Sequence, residues 1–110
     1  MTFPFAMAPV GVQRISNPEG EIATAKAARD VGAHYIMSTA SATSIEDAAA
    51  ANGDGHRWYQ LYWPVNEQNA ITASILDRAK NAGFTTLVVT LDTFTLGWRP
   101  MDMDNGYNQV

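Results

Sequence analysis

Four short apolar runs along the chain each end in polar side chains, and stretches with helical spacing lie between them. Phe5-Ala6-Met7-Ala8-Pro9, Ile36-Met37-Ser38-Thr39, Trp58-Tyr59-Gln60-Leu61-Tyr62 and Leu87-Val88-Val89-Thr90-Leu91-Asp92 have the length and apolar content of buried strands. The first helical segment opens on Asn17-Pro18-Glu19: Asn17 can cap, Pro18 suits the first helical position, and Glu19 and Glu21 complement the positive end of the dipole. It runs to about Val31 with Ile22, Ala23, Ala27 and Ala28 as its expected buried stripe, and Gly32 is placed to end it in a left-handed conformation. Thr43-Ser44-Ile45-Glu46 fits a capping box with Thr43 at the cap, followed by alanines to Ala51 and the breaker Asn52-Gly53-Asp54-Gly55. A third helix is expected from near Asn66, with Ile71, Ile75, Ala79 and Ala82 on one face and its end at Gly83.

Strand and helix alternate, and crossovers of this length imply parallel, right-handed βαβ units. The class is α/β, with four strands and three helices forming half of a barrel or a small open sheet. From Phe94 to Val110 the pattern gives way to Asp, Asn, Gly and Met, which reads as a loop-like tail. A chain of 110 residues is a single domain, 1–110, and a closed eight-stranded barrel takes about 250. With 46% hydrophobic and 16% charged residues the composition is globular, and no apolar run approaches a membrane span. A net charge of -4, with seven scattered Lys and Arg, provides no basic face for nucleic acid. The absence of cysteine excludes disulfides, thiolate metal sites and a thiol nucleophile. The start does not read as a signal peptide, and together these two features fit an intracellular setting.

The polar residues at the strand ends carry the candidate chemistry. Asp92 follows a buried run, where a carboxylate either orients another group or caps a helix. Arg99, beside Gly97 and Trp98, has the planar fork that binds a carboxylate through two hydrogen bonds, or is simply solvated. Gln60 and Tyr62 share one face of their strand, while Leu61 faces the helices. An amide that donates and accepts suits the edge of a heterocycle, and a phenol suits a carboxylate or alkoxide; a satisfied polar pair in the core is the alternative. Ser38 and Thr90 end their strands in equivalent places, as ring ligands or as caps. Pro9, Val10 and Gly11 offer main-chain groups to a flat ligand, or form a plain turn.

Taken together, Ala8-Pro9-Val10-Gly11, Asn17-Pro18-Glu19-Gly20-Glu21, Ser38-Thr39-Ala40-Ser41, Gln60-Leu61-Tyr62-Trp63-Pro64, Thr90-Leu91-Asp92-Thr93 and Leu96-Gly97-Trp98-Arg99-Pro100 resemble the FMN-dependent α-hydroxy acid dehydrogenases and oxidases in order and spacing. The resemblance covers nearly the whole chain and looks closest to the lactate 2-monooxygenase branch. It implies parallel (βα) units forming about half of a TIM (β/α)8 barrel, with FMN across the C-terminal ends of the strands. It implies flavin contacts from the backbone of Pro9, Val10 and Gly11 and from the side chains of Ser38, Gln60 and Thr90. It assigns Tyr62 and Asp92 to catalysis, with Tyr62 and Arg99 as ligands of the substrate carboxylate or hydroxyl and Asp92 orienting a catalytic histidine. The implied reaction oxidises an L-2-hydroxy acid, lactate-like, to the 2-oxo acid or its decarboxylated product. The histidine takes the hydroxyl proton, a hydride equivalent reaches flavin N5, and O2 or another acceptor reoxidises the flavin. A homo-oligomer of the complete enzyme is compatible with this.

Two departures bear on the site. Phe94 stands where the family often has proline, and Ala40 replaces a bulky aromatic of glycolate-type members, leaving room for a larger acid. The family's histidine base, a second arginine, the lysine near flavin N1 and the phosphate-binding strands have no counterpart in this chain. His34 and His56 fall at the opposite end of the strands and do not replace the base. The expectation is therefore an FMN-dependent 2-hydroxy acid oxidase or monooxygenase whose first half, alone, is inactive. The alternative is a non-catalytic half-barrel that binds partners through its open edge.

Overall fold

The structure, a computed structural model, describes residues 3–64, 68–92 and 100–106. Its four strands are β1 (Ala6–Met7), β2 (His34–Ser38), β3 (Arg57–Tyr62) and β4 (Leu87–Thr90). They form one parallel sheet in the order β1-β2-β3-β4. Helices α1 (Glu21–Val31), α2 (Ile45–Asn52) and α3 (Asn69–Asn81) make the crossovers. Strand order that never reverses, with helices that pack on one another in sequence, winds the sheet one way only, as a barrel does and a doubly wound sheet does not. The tail is not wholly loop-like, because Pro100–Asp104 forms a short helix, α4. The fold is about half of a TIM barrel.

Strand alternation assigns the two faces. Tyr35, Met37, Tyr59 and Leu61 are buried and meet Ala25, Ala28, Ala48, Ala49 and Ala79 of the helices, with Ile45 and Phe84 closing the layer. Alanines let the helices approach the sheet closely, leaving the long strand side chains to fill the core. Ile36, Trp58 and Val88 point the other way and are half-buried. Leu87, Val89 and Leu91 were expected to be buried and are exposed, since among the described residues no helix covers that face of β4.

Several local expectations shift. Asn17 does not cap α1; its Oδ1 accepts from the Glu19 amide at 2.9 Å in a tight turn, and the helix starts at Glu21. Gly20 separates the two, with φ 52° and a hypothetical Cβ 2.7 Å from Arg14 Cγ, so only glycine fits there. The buried stripe of α1 is Glu21, Ala25 and Ala28; Ile22 and Ala23 are half-buried and Ala27 is exposed. In a helix this rich in alanine the apolar spacing does not single out one face. Gly32 does end α1 in the left-handed region, at φ 73°. Ser44, not Thr43, caps α2, accepting from the Asp47 amide at 3.1 Å. Ile71 is exposed on α3, where Thr72 and Ala79 are buried, and Asn66 lies outside the described residues.

Thr43 is free for another partner because Glu21 turns inward. The Glu21 carboxylate is fully buried and accepts from the Gln13 amide at 3.2 Å, the Ala42 amide at 2.9 Å and the Thr43 hydroxyl at 2.9 Å. Burial pushes its pKa up, but hydrogen bonds from the Ala42, Glu21 and Gln13 amides and Thr43 outweigh this and hold it below the ordinary value of 4.5. At the other end of the sheet Arg57 plays the equivalent part. Its Nε and one guanidinium nitrogen donate to the Ala82 carbonyl at 2.9 and 2.7 Å. The other nitrogen reaches Asn52 Oδ1 at 3.2 Å and the Gly53 and Gly55 carbonyls at 3.0 and 3.2 Å. Asn52, fully buried, passes the connection to the Ala25 carbonyl at 3.0 Å. His34 is the first residue of β2 and stacks on His56 at 5.0 Å between ring centroids. Burial first, then the neighbouring His56, hold the His34 imidazole below its ordinary 6.5.

Two stability outcomes are expected. Arg57→Lys, which keeps the charge but loses the fork, costs about 2 kcal/mol in urea unfolding, because one ammonium cannot reach all these acceptors. Glu21 and His34, both depressed, weaken the fold in acid. His34 contributes fully above about pH 6.5 and its contribution is lost as pH falls through its folded value, while that of Glu21 is lost as pH falls below about 4.5. Urea midpoints taken from pH 7 to pH 3 should therefore decline in two stages, and Glu21→Gln should shrink the lower one, to which the exposed Glu46 also adds a small part.

Candidate active site at the strand ends

The C-terminal ends of β1 to β4 carry the candidate residues, on the opposite edge from His34, His56 and Arg57. Parallel register sets their heights: Ser38 lies level with Gln60, and Tyr62 level with Thr90. Ser38 and Thr90 lie on β2 and β4, with Gln60 of β3 between them. Gln60 is buried, and its amide is held at both ends. Its Oε1 accepts from the Thr39 amide at 3.3 Å and its Nε2 donates to Thr90 Oγ1 at 2.8 Å. Ser38 Oγ accepts from the Ala40 amide at 3.1 Å. Among the described residues, no hydrogen bond uses the second amide hydrogen of Gln60 or the protons of the Ser38 and Thr90 hydroxyls.

Thr39 was not singled out in the sequence as a site residue, yet it joins β2 to β3. Its hydroxyl donates to the Gln60 carbonyl and accepts from the Tyr62 amide at 3.1 Å. The motif Ser38-Thr39-Ala40-Ser41 contained it, but nothing in the local pattern indicated a bond across 21 to 23 positions. Tyr62 itself is 41% exposed, with its ring open to approach. Asp92 is exposed just beyond β4. Arg99 lies outside the described residues, as do Phe94, Gly97 and Trp98.

The segment after β1 closes the group. Pro9 and Gly11 are half-buried and Val10 is exposed. Gly11 sits so close to the β2 end that an added Cβ would lie 3.0 Å from Ala40 Cβ and 3.2 Å from its carbonyl oxygen. The Val12 amide donates to that same carbonyl at 3.0 Å. Main chain and side chains therefore face one another across the tops of the strands. Alternating hydroxyl and amide groups beside an open peptide wall fit the planar, alternately donating and accepting edge of a flavin ring.

Replacing Thr39 by valine keeps the branched shape and removes both bonds. Thr39→Val should cost about 1–2 kcal/mol by chemical denaturation, with Thr39→Ser retaining most of the stability.

Comparison with known proteins supplies the family and agrees with the fold. The family model for FMN-dependent dehydrogenase matches residues 1–110. An FMN-dependent alpha-hydroxy acid dehydrogenase of Schizosaccharomyces pombe is 62% identical over 106 residues, which are 96% of this chain and 26% of that protein. An L-lactate oxidase of Lysinibacillus sphaericus is 42% identical over 97% of this chain and 27% of its own length. The crystal structure of a mandelate oxidase with (S)-2-phenylpropionate superposes with a TM-score of 0.85 at 42% identity, covering 98% of this chain and 31% of that one. The chain thus spans between a quarter and a third of the length of these relatives. With the family model matched from end to end and the strand-end residues assembled as described, the chain belongs to the FMN-dependent dehydrogenases.

Proposed function

We propose that this chain supplies the flavin cradle and part of the substrate site of an oxidoreductase that converts an L-2-hydroxy acid of lactate-like type to the 2-oxo acid or its decarboxylated product. The observation that carries this reading is the Gln60–Thr90 hydrogen bond between β3 and β4, with Ser38 of β2 in register with Gln60 and the Pro9–Gly11 segment packed on the β2 end. Ser38, Gln60 and Thr90 would hold the polar edge of FMN through side chains, and Pro9 to Gly11 would line the ring through main chain. FMN, when bound, supplies at N5 the acceptor for the hydride equivalent.

The remaining steps belong to protein groups. The exposed Tyr62 hydroxyl, with Arg99, would bind the substrate carboxylate and fix which face of the hydroxyl carbon is presented. Asp92 would accept a hydrogen bond from a histidine contributed by the rest of the barrel and stabilise its protonated form, once that base has taken the hydroxyl proton. Ala40, exposed above β2, leaves space for side chains larger than that of glycolate. A second reading, a non-catalytic half-barrel that docks a partner, draws on the exposed Leu87, Val89 and Leu91 at the β4 edge.

The test is flavin absorbance after incubation with FMN and desalting, followed by anaerobic addition of L-lactate. A full-length protein should stay yellow and bleach, and residues 1–110 alone should not bleach. In the full-length protein Asp92→Asn should slow bleaching roughly 10²- to 10⁴-fold with FMN retained. A full-length protein that keeps FMN but bleaches with no L-2-hydroxy acid would overturn the proposal and favour the docking reading.

A further inference from the structure

We infer that Gln13 is a positioning residue for the main chain that faces the flavin, an inference that rests on the flavin site proposed above. Gln13 is half-buried in a short 3-10 turn, Gln13–Ile15, two residues beyond Gly11. Its side-chain Nε2 donates to the Val10 carbonyl at 3.1 Å. Its Oε1 accepts from the Thr24 hydroxyl, and its own amide donates to Glu21 Oε1. One residue thereby connects helix α1, through Glu21 and Thr24, to the carbonyl at the centre of the Pro9–Gly11 wall.

The segment needs such a clamp. Val12, between Gly11 and Gln13, has φ 48° and ψ 43°, a left-handed conformation that a β-branched residue adopts only where its surroundings impose it. On one side the wall is held by Ala40, through the Val12 amide and the close approach of Gly11. On the other it is held by Gln13. With both in place the Val10 peptide has one orientation, so its carbonyl and the adjoining amides are set before any ligand arrives. Preorganised main chain of this kind removes an ordering cost from binding. Glu21 anchors the clamp itself, since the carboxylate that accepts from Gln13 also accepts from Ala42 and Thr43 beside the end of β2.

Gln13→Met keeps the length of the side chain and removes both of its hydrogen bonds. Thr24→Val leaves Gln13 in place and removes the bond that orients it. In the full-length protein, FMN affinity read by flavin fluorescence should weaken roughly 3- to 10-fold in Gln13→Met, with a changed visible band, and by less in Thr24→Val. Adding Thr24→Val to Gln13→Met should change nothing further, because Thr24 acts only through Gln13. A residue that merely supports the fold would lower the melting temperature of the flavin-free protein and leave affinity and spectrum alone. That result would overturn the proposal. Thr24→Val provides the same test should Gln13→Met fail to fold. If the unsubstituted protein retains no FMN, the flavin reading fails by itself, and hydrogen exchange at the Val12 amide decides the clamp. Faster exchange in either variant supports it, and unchanged exchange overturns it.

Discussion

A carboxylate taken out of water must be supplied with hydrogen bonds or it destabilises the fold by several kcal/mol, and Glu21 is fully buried. Its donors come from two places in the chain: Gln13 before α1, and Ala42 and Thr43 after β2. The ion is tolerated only when both loops are seated around it, so the loops that follow β1 and β2 are ordered together. Everything at the candidate site on that side follows from this. The Pro9–Gly11 wall leads into Gln13, and the Ala40 carbonyl that receives the Val12 amide lies just ahead of Ala42.

The remaining half of the site is ordered by the sheet. Register alone brings Ser38 beside Gln60 and Tyr62 beside Thr90, and Thr39 and Thr90 then hold the Gln60 amide from the two flanking strands. Arg57 closes the opposite end by gathering the C-terminal ends of α2 and α3. Arg57 thus secures the N-terminal end of the strands, while Glu21 and Thr39 secure the end where the candidate site residues gather, the end at which βα barrels build their sites. The exposed bidentate pair of Glu46 with Arg78, at 2.8 and 2.7 Å, contributes little beside these buried networks, although Arg78 holds the Glu46 carboxyl down to about 2.

The alternation of faces explains why the exposed apolar groups fall where they do. Tyr59 and Leu61 are covered by helices, and their register partners on β4, Leu87 and Val89, have no helix over them among the described residues. Relatives three to four times as long carry further chain that this stretch does not contain.

What could be read from the sequence was whatever depends on neighbours a few positions apart. The four strands, the order of the three helices, the left-handed end at Gly32 and the placement of Gln60 opposite in face to Leu61 all follow from periods of two or 3.6 and from the conformational range of glycine. The polar residues at the strand ends could be marked as candidates because strand ends are where such folds expose polar groups. Tertiary structure decided which polar residues bond to which. Thr43 and Ser44 are equally good caps by local chemistry, and only the inward turn of Glu21, 22 positions away, takes Thr43 and leaves the cap to Ser44. The roles of Gln13, Thr39 and Arg57 likewise rest on bonds spanning 3 to 25 positions, several of them to main-chain carbonyls that carry no signature in sequence. Propensity and periodicity are local, whereas satisfying a buried polar group is a property of the assembled chain.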